Sequence, residues 1–269
     1  MPKRADVLLV EQGGAQSRER AKALIMEGVV YFGEVRVNKA SDAFPDGAVL
    51  TVREDPIPFV SRGGLKLDKA VRKYGIDLRG RVCVDVGAST GGFTDVMLQN
   101  GAAHVYAVDV GYGQLDWRLR CDGRVTCMER RNAREMTSDW FEKTPSFASC
   151  DVSFISISKI LPRMFDVLEP GGRAVVLVKP QFEAGRSKVG KNGVVRDAAV
   201  HLEVLTGAAK NAAETGFRVL ALDFSPITGP KGNIEFLMYL AKETGDSPDI
   251  ESEAARVVAS AHEELGIKA

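Results

Sequence analysis

The chain has 269 residues, 45% of them hydrophobic and 27% charged, and its 36 basic side chains balance 36 acidic ones. That length suits one medium domain with a smaller companion, and zero net charge argues neither for nor against a nucleic-acid partner. No apolar run is long enough to span a bilayer, and Met1–Gln12 lacks the hydrophobic region of a signal peptide, so a cytoplasmic location is expected. Cys83, Cys121, Cys127 and Cys150 have no short paired spacing, and the three histidines are widely separated. Neither a disulfide framework, a metal site nor His-based triad chemistry is therefore expected.

The first 54 residues have their own rhythm. Arg4–Glu11 reads as a short helix ending at Gly13-Gly14. Ser17 is a cap for a second helix that turns Ala21, Leu24 and Ile25 to one face and stops at Gly28. Val29–Phe32 and Val35–Val37 flank Gly33-Glu34 as a hairpin, and Ala48–Val52 adds a strand. Fifty residues bury little surface, so this is a small module. Glu54–Pro58 opens a proline-stiffened linker over residues 55–62.

From Gly63 onward strands and helices alternate. A helix over Leu65–Tyr74 precedes strand Val82–Val86, helix Phe93–Asn100 and strand His104–Val108. Arg124–Met128 and Phe147–Cys150 are the next strands, followed by a helix over Ser156–Val167 and the strongly apolar strand Gly172–Val178. Helix Ala198–Thr215, strands Arg218–Phe224 and Glu235–Leu240, and helix Ile250–Leu265 complete the order. Such alternation predicts an α/β doubly wound parallel sheet. Ser225–Asn233 is too short for a helical crossover, so the last two strands should pair antiparallel. Five parallel strands closed by such a pair form the Rossmann-like sheet of class I methyltransferases.

The most informative stretch joins the first of those strands to its helix. Asp85, Gly87, Ala88, Ser89, Thr90, Gly91, Gly92 and Phe93 form a glycine-cornered turn into a helix N-terminus, where backbone N–H groups and a dipole end can meet a ligand. The glycine spacing matches neither the dinucleotide fingerprint nor a phosphate loop, which would end in Gly-Lys-Ser/Thr. Asp85 would repel phosphate but could accept hydrogen bonds from an ammonium group. A nucleoside carrying an amino acid, S-adenosylmethionine, fits both features.

Ligands of open α/β sheets bind beyond the carboxyl ends of the strands. Asp85, Asp109, Asn132, Asp151 and Lys179 occupy or closely follow those ends. Asp109 suits either ribose hydroxyls or the cap of a helix. Lys179, after the core run Ala174–Val178, either reaches water or is held in a partly desolvated cleft fit for general-base work. Asp151 could hold its ammonium, while Glu235 and Lys66 could approach the same cleft.

Lys66, Asp151, Lys179 and Glu235 resemble the Lys-Asp-Lys-Glu tetrad of the FtsJ-type ribose 2′-O-methyltransferases. The blocks Ser61–Lys66, Asp85–Asp95, Cys150–Phe154, Val178–Glu183 and Gly229–Glu235 look like those of the TlyA subgroup, in order along nearly the whole chain. The resemblance implies methyl transfer from S-adenosylmethionine to a cytidine 2′-hydroxyl of ribosomal RNA. Lys179 would be the base, Asp151 and Glu235 would orient it, and Lys66 would position the ribose or stabilise charge on its oxygen. Proteins of this kind also carry the label haemolysin. A membrane-active protein is thus a competing reading, as is a non-catalytic RNA-binding protein.

The first module resembles the small αL RNA-binding fold named after ribosomal protein S-four, with Arg4, Arg18, Arg20, Lys22, Arg36 and Lys39 at matching positions. Residues 1–60 hold eight basic and nine acidic side chains, so an RNA face requires segregated charge. Residues 61–135 hold thirteen basic and nine acidic ones, with Arg118, Arg120, Arg124, Arg130, Arg131 and Arg134 close together. Some of these could pair with Asp116, Asp122 and Glu129. A continuous basic track to the cleft is expected, with Glu183–Asn192 as a mobile lid. Ribosomal RNA or ribosomal subunits are the expected partners of a monomer.

Overall fold

A computed structural model describes residues 2–53 and 57–265. The chain divides into two compact units between Arg62 and Gly63. Residues 54–56 of the expected linker lie outside the described residues.

In the first unit, β1 (Lys3–Arg4) runs into α1 (Ala5–Glu11), and α2 (Arg18–Glu27) follows. The Ser17 hydroxyl accepts from the Arg20 N–H at 3.1 Å and caps α2, as its sequence position predicts. Three short strands follow in a sheet of order β3-β2-β5: β2 (Val30–Phe32), β3 (Val35–Arg36) and β5 (Leu50–Val52). The expected hairpin is therefore present but shorter. Two further pieces escaped the periodicity: β1 pairs antiparallel with β4 (Ala43–Phe44), each only two residues long. Leu8, Leu9, Ala21, Leu24, Ile25, Val30 and Leu50 share one core.

The second unit is built on a seven-stranded sheet. Its elements are α3 (Gly64–Tyr74), β6 (Val82–Val86), α4 (Gly92–Gln99), β7 (His104–Val108), α5 (Trp117–Arg120), β8 (Val125–Met128), β9 (Phe147–Cys150), α6 (Leu161–Val167), β10 (Arg173–Val178), α7 (Pro180–Glu183), α8 (Ala198–Thr215), β11 (Arg218–Phe224), β12 (Phe236–Ala241) and α9 (Ile250–Glu264). The strand order is β11-β12-β10-β9-β6-β7-β8. β8, β7, β6, β9 and β10 are parallel, while β12 runs antiparallel to both β10 and β11. Strands buried on both faces read as unbroken apolar runs, which is why β10 was so clear in sequence.

The helix expected over Ser156–Val167 is interrupted. A 3-10 turn at Ile157–Lys159, capped by the Ser156 hydroxyl, precedes α6. Pro162 sits in the first turn of α6, where its missing N–H has no intrahelical partner to lose, so it starts a new helix rather than continuing the turn before it.

Candidate active site

The sheet register brings the site together. Val178 pairs with Phe236, so Lys179 and Glu235 lie opposite one another just beyond that pair. Cys150 pairs with Val176, and Asp151 leaves the same end of the neighbouring strand. Lys66 arrives from the first turn of α3. Its Nζ donates to Glu235 Oε2 at 2.7 Å and to Asp151 Oδ2 at 3.2 Å. Asp151 Oδ1 forms an ion pair with Lys179 Nζ at 2.5 Å, and Lys179 also donates to Ser153 Oγ at 2.9 Å. The four expected residues thus form one chain, Lys179–Asp151–Lys66–Glu235.

Their electrostatics differ. Burial pushes Lys66 down, but the Asp151 and Glu235 carboxylates outweigh it and hold the ammonium above the usual lysine range. Burial likewise raises Asp151, yet Lys66 and Lys179 together keep it below the usual carboxylate range. Lys66 is thus a fixed charge between two carboxylates. Lys179 shares one carboxylate and a hydroxyl.

The loop after β6 is shaped by packing. Gly87 has φ +84°, and a Cβ there would come within 2.7 Å of the Asp151 carbonyl oxygen. Gly91 has φ +95°, and a Cβ would reach 2.2 Å from a Leu119 methyl of α5. Only glycine fits either position. Asp109 ties this loop to the next one, accepting from Ser89 N–H at 2.8 Å and Gly111 N–H at 2.6 Å. Asn132 caps the 3-10 turn Ala133–Glu135 through the Arg134 N–H.

Asp85 departs from expectation. Its carboxylate is fully buried, accepting from Thr94 Oγ1 at 2.7 Å and from Ser149 Oγ at 2.9 Å. Ser149 stands level with it on β9, which explains the contact. Burial raises its pKa to about 6 despite those two hydroxyls. An ammonium group has no access to it, so Asp85 supports the loop from beneath instead of receiving the ligand.

Sequence reasoning missed the aromatic wall beside Lys179. Phe154 follows Ser153, is 90% exposed and holds φ +65°, a conformation unusual for a bulky residue. Its ring lies 5.1 Å from that of Phe182 in α7. Glu183 braces the two segments, accepting from Ser156 Oγ at 2.7 Å and Ile157 N–H at 2.8 Å. The expected lid therefore begins at an anchored residue, and Lys188 further along it is paired with Glu203. The only hint in sequence was an aromatic one residue after a motif serine.

The expected RNA-contacting residues fall into two groups. Arg4 and Arg18 both pair with Asp6, which is fully buried and pulled down to about 2 by Arg4 first. Arg20 donates to the Val60 carbonyl. Lys22, Arg36 and Lys39 are exposed and make no ion pair among the described residues. In the second unit Arg118, Arg120 and Arg124 are neutralised by Asp116, Glu129 and Asp122. Arg130 and Arg131 instead lie over the rings of Tyr112 and Trp140.

Residues 59–242 match the family model for FtsJ-like methyltransferases. The chain belongs to that family. A Mycobacterium tuberculosis protein named 16S/23S rRNA (cytidine-2'-O)-methyltransferase TlyA is 42% identical to this methyltransferase over 242 residues, 90% of each chain. A Bacillus subtilis protein provisionally named rRNA methyltransferase YqxC is 50% identical over 268 residues, covering 97% of this chain and 95% of its own. A solved structure from Streptococcus thermophilus, provisionally termed a hemolysin, superimposes with a TM-score of 0.80 at 48% identity, covering 98% of this chain and 97% of its own.

The residues fit S-adenosylmethionine as the methyl donor of this family. Asp109 retains acceptor capacity at the strand end beside the glycine-cornered turn, where a ribose hydroxyl would need it. No helix among the described residues is long and apolar enough to cross a membrane.

Proposed function

We propose that the protein methylates the 2′-hydroxyl of a cytidine ribose in ribosomal RNA, acting as a monomer in the cytoplasm. The observation that carries this reading is the Lys179–Asp151–Lys66–Glu235 chain at the mouth of the glycine-cornered loop. Gly87, Ala88, Ser89, Thr90, Gly91, Gly92 and Phe93 would line the methyl donor, with Asp109 on its ribose and Asn132 nearby. S-adenosylmethionine supplies, when bound, a methyl group already activated by its sulfonium.

A ribose hydroxyl is a poor nucleophile until its proton is removed. Lys179, in its neutral form, would take that proton, leaving the ribose oxygen placed to receive the methyl in line as the methyl's bond to sulfur breaks and the thioether departs. Asp151, 2.5 Å from the Lys179 nitrogen, holds that side chain in position. Lys66, kept cationic by two carboxylates, stabilises negative charge developing on the ribose oxygen. The N-terminal unit is assigned to RNA docking over residues 1–54, with 55–62 as linker and 63–269 as the methyltransferase domain.

Lys179→Ala is expected to retain cofactor binding by titration while labelled-methyl transfer to ribosomal RNA falls by about 10²- to 10⁴-fold. Near-normal turnover would remove Lys179 from the base role. Lysis of purified lipid vesicles without cofactor, with no methyl transfer, would favour a membrane-active protein instead.

A further inference from the structure

Two turns meet in the second unit, and each carries a lysine. The turn over residues 190–193 is closed by the Gly193 N–H donating to the Gly190 carbonyl at 2.8 Å. The turn over residues 229–233 is closed by the Gly229 N–H donating to the Asn233 carbonyl at 2.9 Å. Asn233 is buried and clamps one turn to the other: its Nδ2 donates to the Gly193 carbonyl at 2.9 Å, and its Oδ1 accepts from the Val195 N–H at 3.0 Å. Lys231 reaches across the join, since a Cβ at Gly193 would lie 3.5 Å from its Nζ. Lys191, Asn192, Gly193 and Lys231 together line an open hollow of about 590 Å³.

The hollow holds charge of one sign. Lys191 and Lys231 are exposed and make no ion pair or side-chain hydrogen bond among the described residues, and no carboxylate lines the hollow. Lys66, Lys69, Lys73, Lys179 and Lys188 of the same unit each pair with a carboxylate. Two ammonium groups over one hollow with no acid beside them favour an anion that bridges them.

The hollow's position says which anion. Gly229, at the base of the second turn, lies against the tetrad: a Cβ there would come within 2.9 Å of Glu235 Oε1, on the carboxylate that holds Lys66. The hollow is thus fixed by contact to the Glu235 end of the Lys179–Asp151–Lys66–Glu235 chain. An RNA strand that lays a ribose on that chain brings one phosphate charge with every nucleotide. A lysine meets phosphate as a point charge, so a lysine pair suits a backbone held without regard to sequence.

We propose that Lys191 and Lys231 clamp one phosphodiester of the RNA strand close to the nucleotide that is methylated, setting the strand in register over the tetrad. This inference rests on the reading of the protein as an RNA ribose 2′-O-methyltransferase.

The test compares the full-length wild type with the double variant Lys191→Gln, Lys231→Gln. The target ribose is first mapped by labelled-methyl transfer. Ribosomal RNA is then assembled with one neutral methylphosphonate at each phosphate around that ribose in turn, each preceded by a 2′-deoxyribose to keep the linkage intact. The same deoxy-substituted RNA with ordinary phosphates is the control. Wild type should bind one of these RNAs about tenfold more weakly than its control, the lower end for a hydrogen bond to a charged group. The double variant should bind that RNA and its control alike, and its slope of log affinity against log salt should be shallower by about 0.7–0.9, one phosphate's share. Lys191→Arg with Lys231→Arg keeps both charges and should keep both wild-type responses, with cofactor titration confirming that each variant is folded. Equal losses by wild type and double variant at every linkage, or an unaltered salt slope, overturn the clamp alone. If polyglutamate then binds wild type and not the double variant, the hollow receives an acidic protein segment instead. Failure of wild type to label any ribose overturns the enzymatic reading and the clamp with it.

Discussion

Lys66 and Lys179 carry the same charge in the same cleft, and their neighbours divide the work between them. Lys66 is the sole described cation contacting Glu235, whose side chain is 2% exposed, whereas Asp151 is shared by both lysines. Removing one partner of a buried pair strands the other charge at a cost of about 3–5 kcal/mol. Lys66→Met should therefore lower the thermal midpoint markedly more than Lys179→Met, as scanning calorimetry would show; equal losses would contradict the pairing. Asp85 yields a pH prediction. Its folded pKa of about 6 stands above its ordinary 3.8, so the folded state binds the proton more tightly. Its contribution is most favourable below about pH 4 and is lost as pH rises through 6, a change of about 3 kcal/mol. Asp85→Asn should remove that part of the slope, so urea unfolding at pH 4.5 and 7.5 should show the variant gaining on wild type at the higher pH. Asp151 and Lys179 were legible in sequence because each directly follows a buried strand, the one before Lys179 apolar from Ala174 onward. Phe154 was not, since its contact with the Phe182 ring appears only once the two segments are folded.

Long elements announced themselves and single turns did not. The sheet strands and α8 were readable because burial imposes a period over many residues, while α5 and α7, four residues each, complete barely one turn. The break before α6 falls next to Pro162, and the apolar pattern on either side conceals it. α7 matters most for the site, since one turn carries Gln181, Phe182 and Glu183. Glu183 holds this turn to the Ser156–Ile157 backbone by two hydrogen bonds. Bonds to a charged group contribute about 1.5–3 kcal/mol each, so losing them should free the two aromatic segments to separate. Glu183→Ala is expected to raise KM for ribosomal RNA roughly tenfold while leaving cofactor affinity intact. Equal weakening of both would mean that Glu183 supports the whole sheet end instead of the acceptor side.

At the level of the molecule, zero net charge is compatible with RNA binding because charge is sorted locally. The count of basic residues overstated what is available. Arg4 and Arg18 spend their charge on Asp6, and Arg118, Arg120 and Arg124 spend theirs on neighbouring carboxylates. The partners in the second unit were foreseeable from Asp116, Asp122 and Glu129 nearby in sequence, whereas the pairing of Arg4 and Arg18 with Asp6 depends on how the turns of the first unit bring them together. Lys22, Arg36 and Lys39, which make no ion pair among the described residues, should then dominate counterion release by the first unit. Each phosphate contact contributes about 0.7–0.9 to the slope of log affinity against log salt. Replacing all three by Ala should lower that slope by about 2–3, measured as RNA binding across a salt series. Arg4 and Arg18 should contribute less, since a phosphate must compete with a buried carboxylate that stays ionised down to about pH 2. If Arg4→Ala and Arg18→Ala instead flatten the salt dependence as strongly as the triple replacement, the ion pairs with Asp6 must open on RNA. The first unit would then bind by rearranging its charges, not by presenting a ready-made basic face.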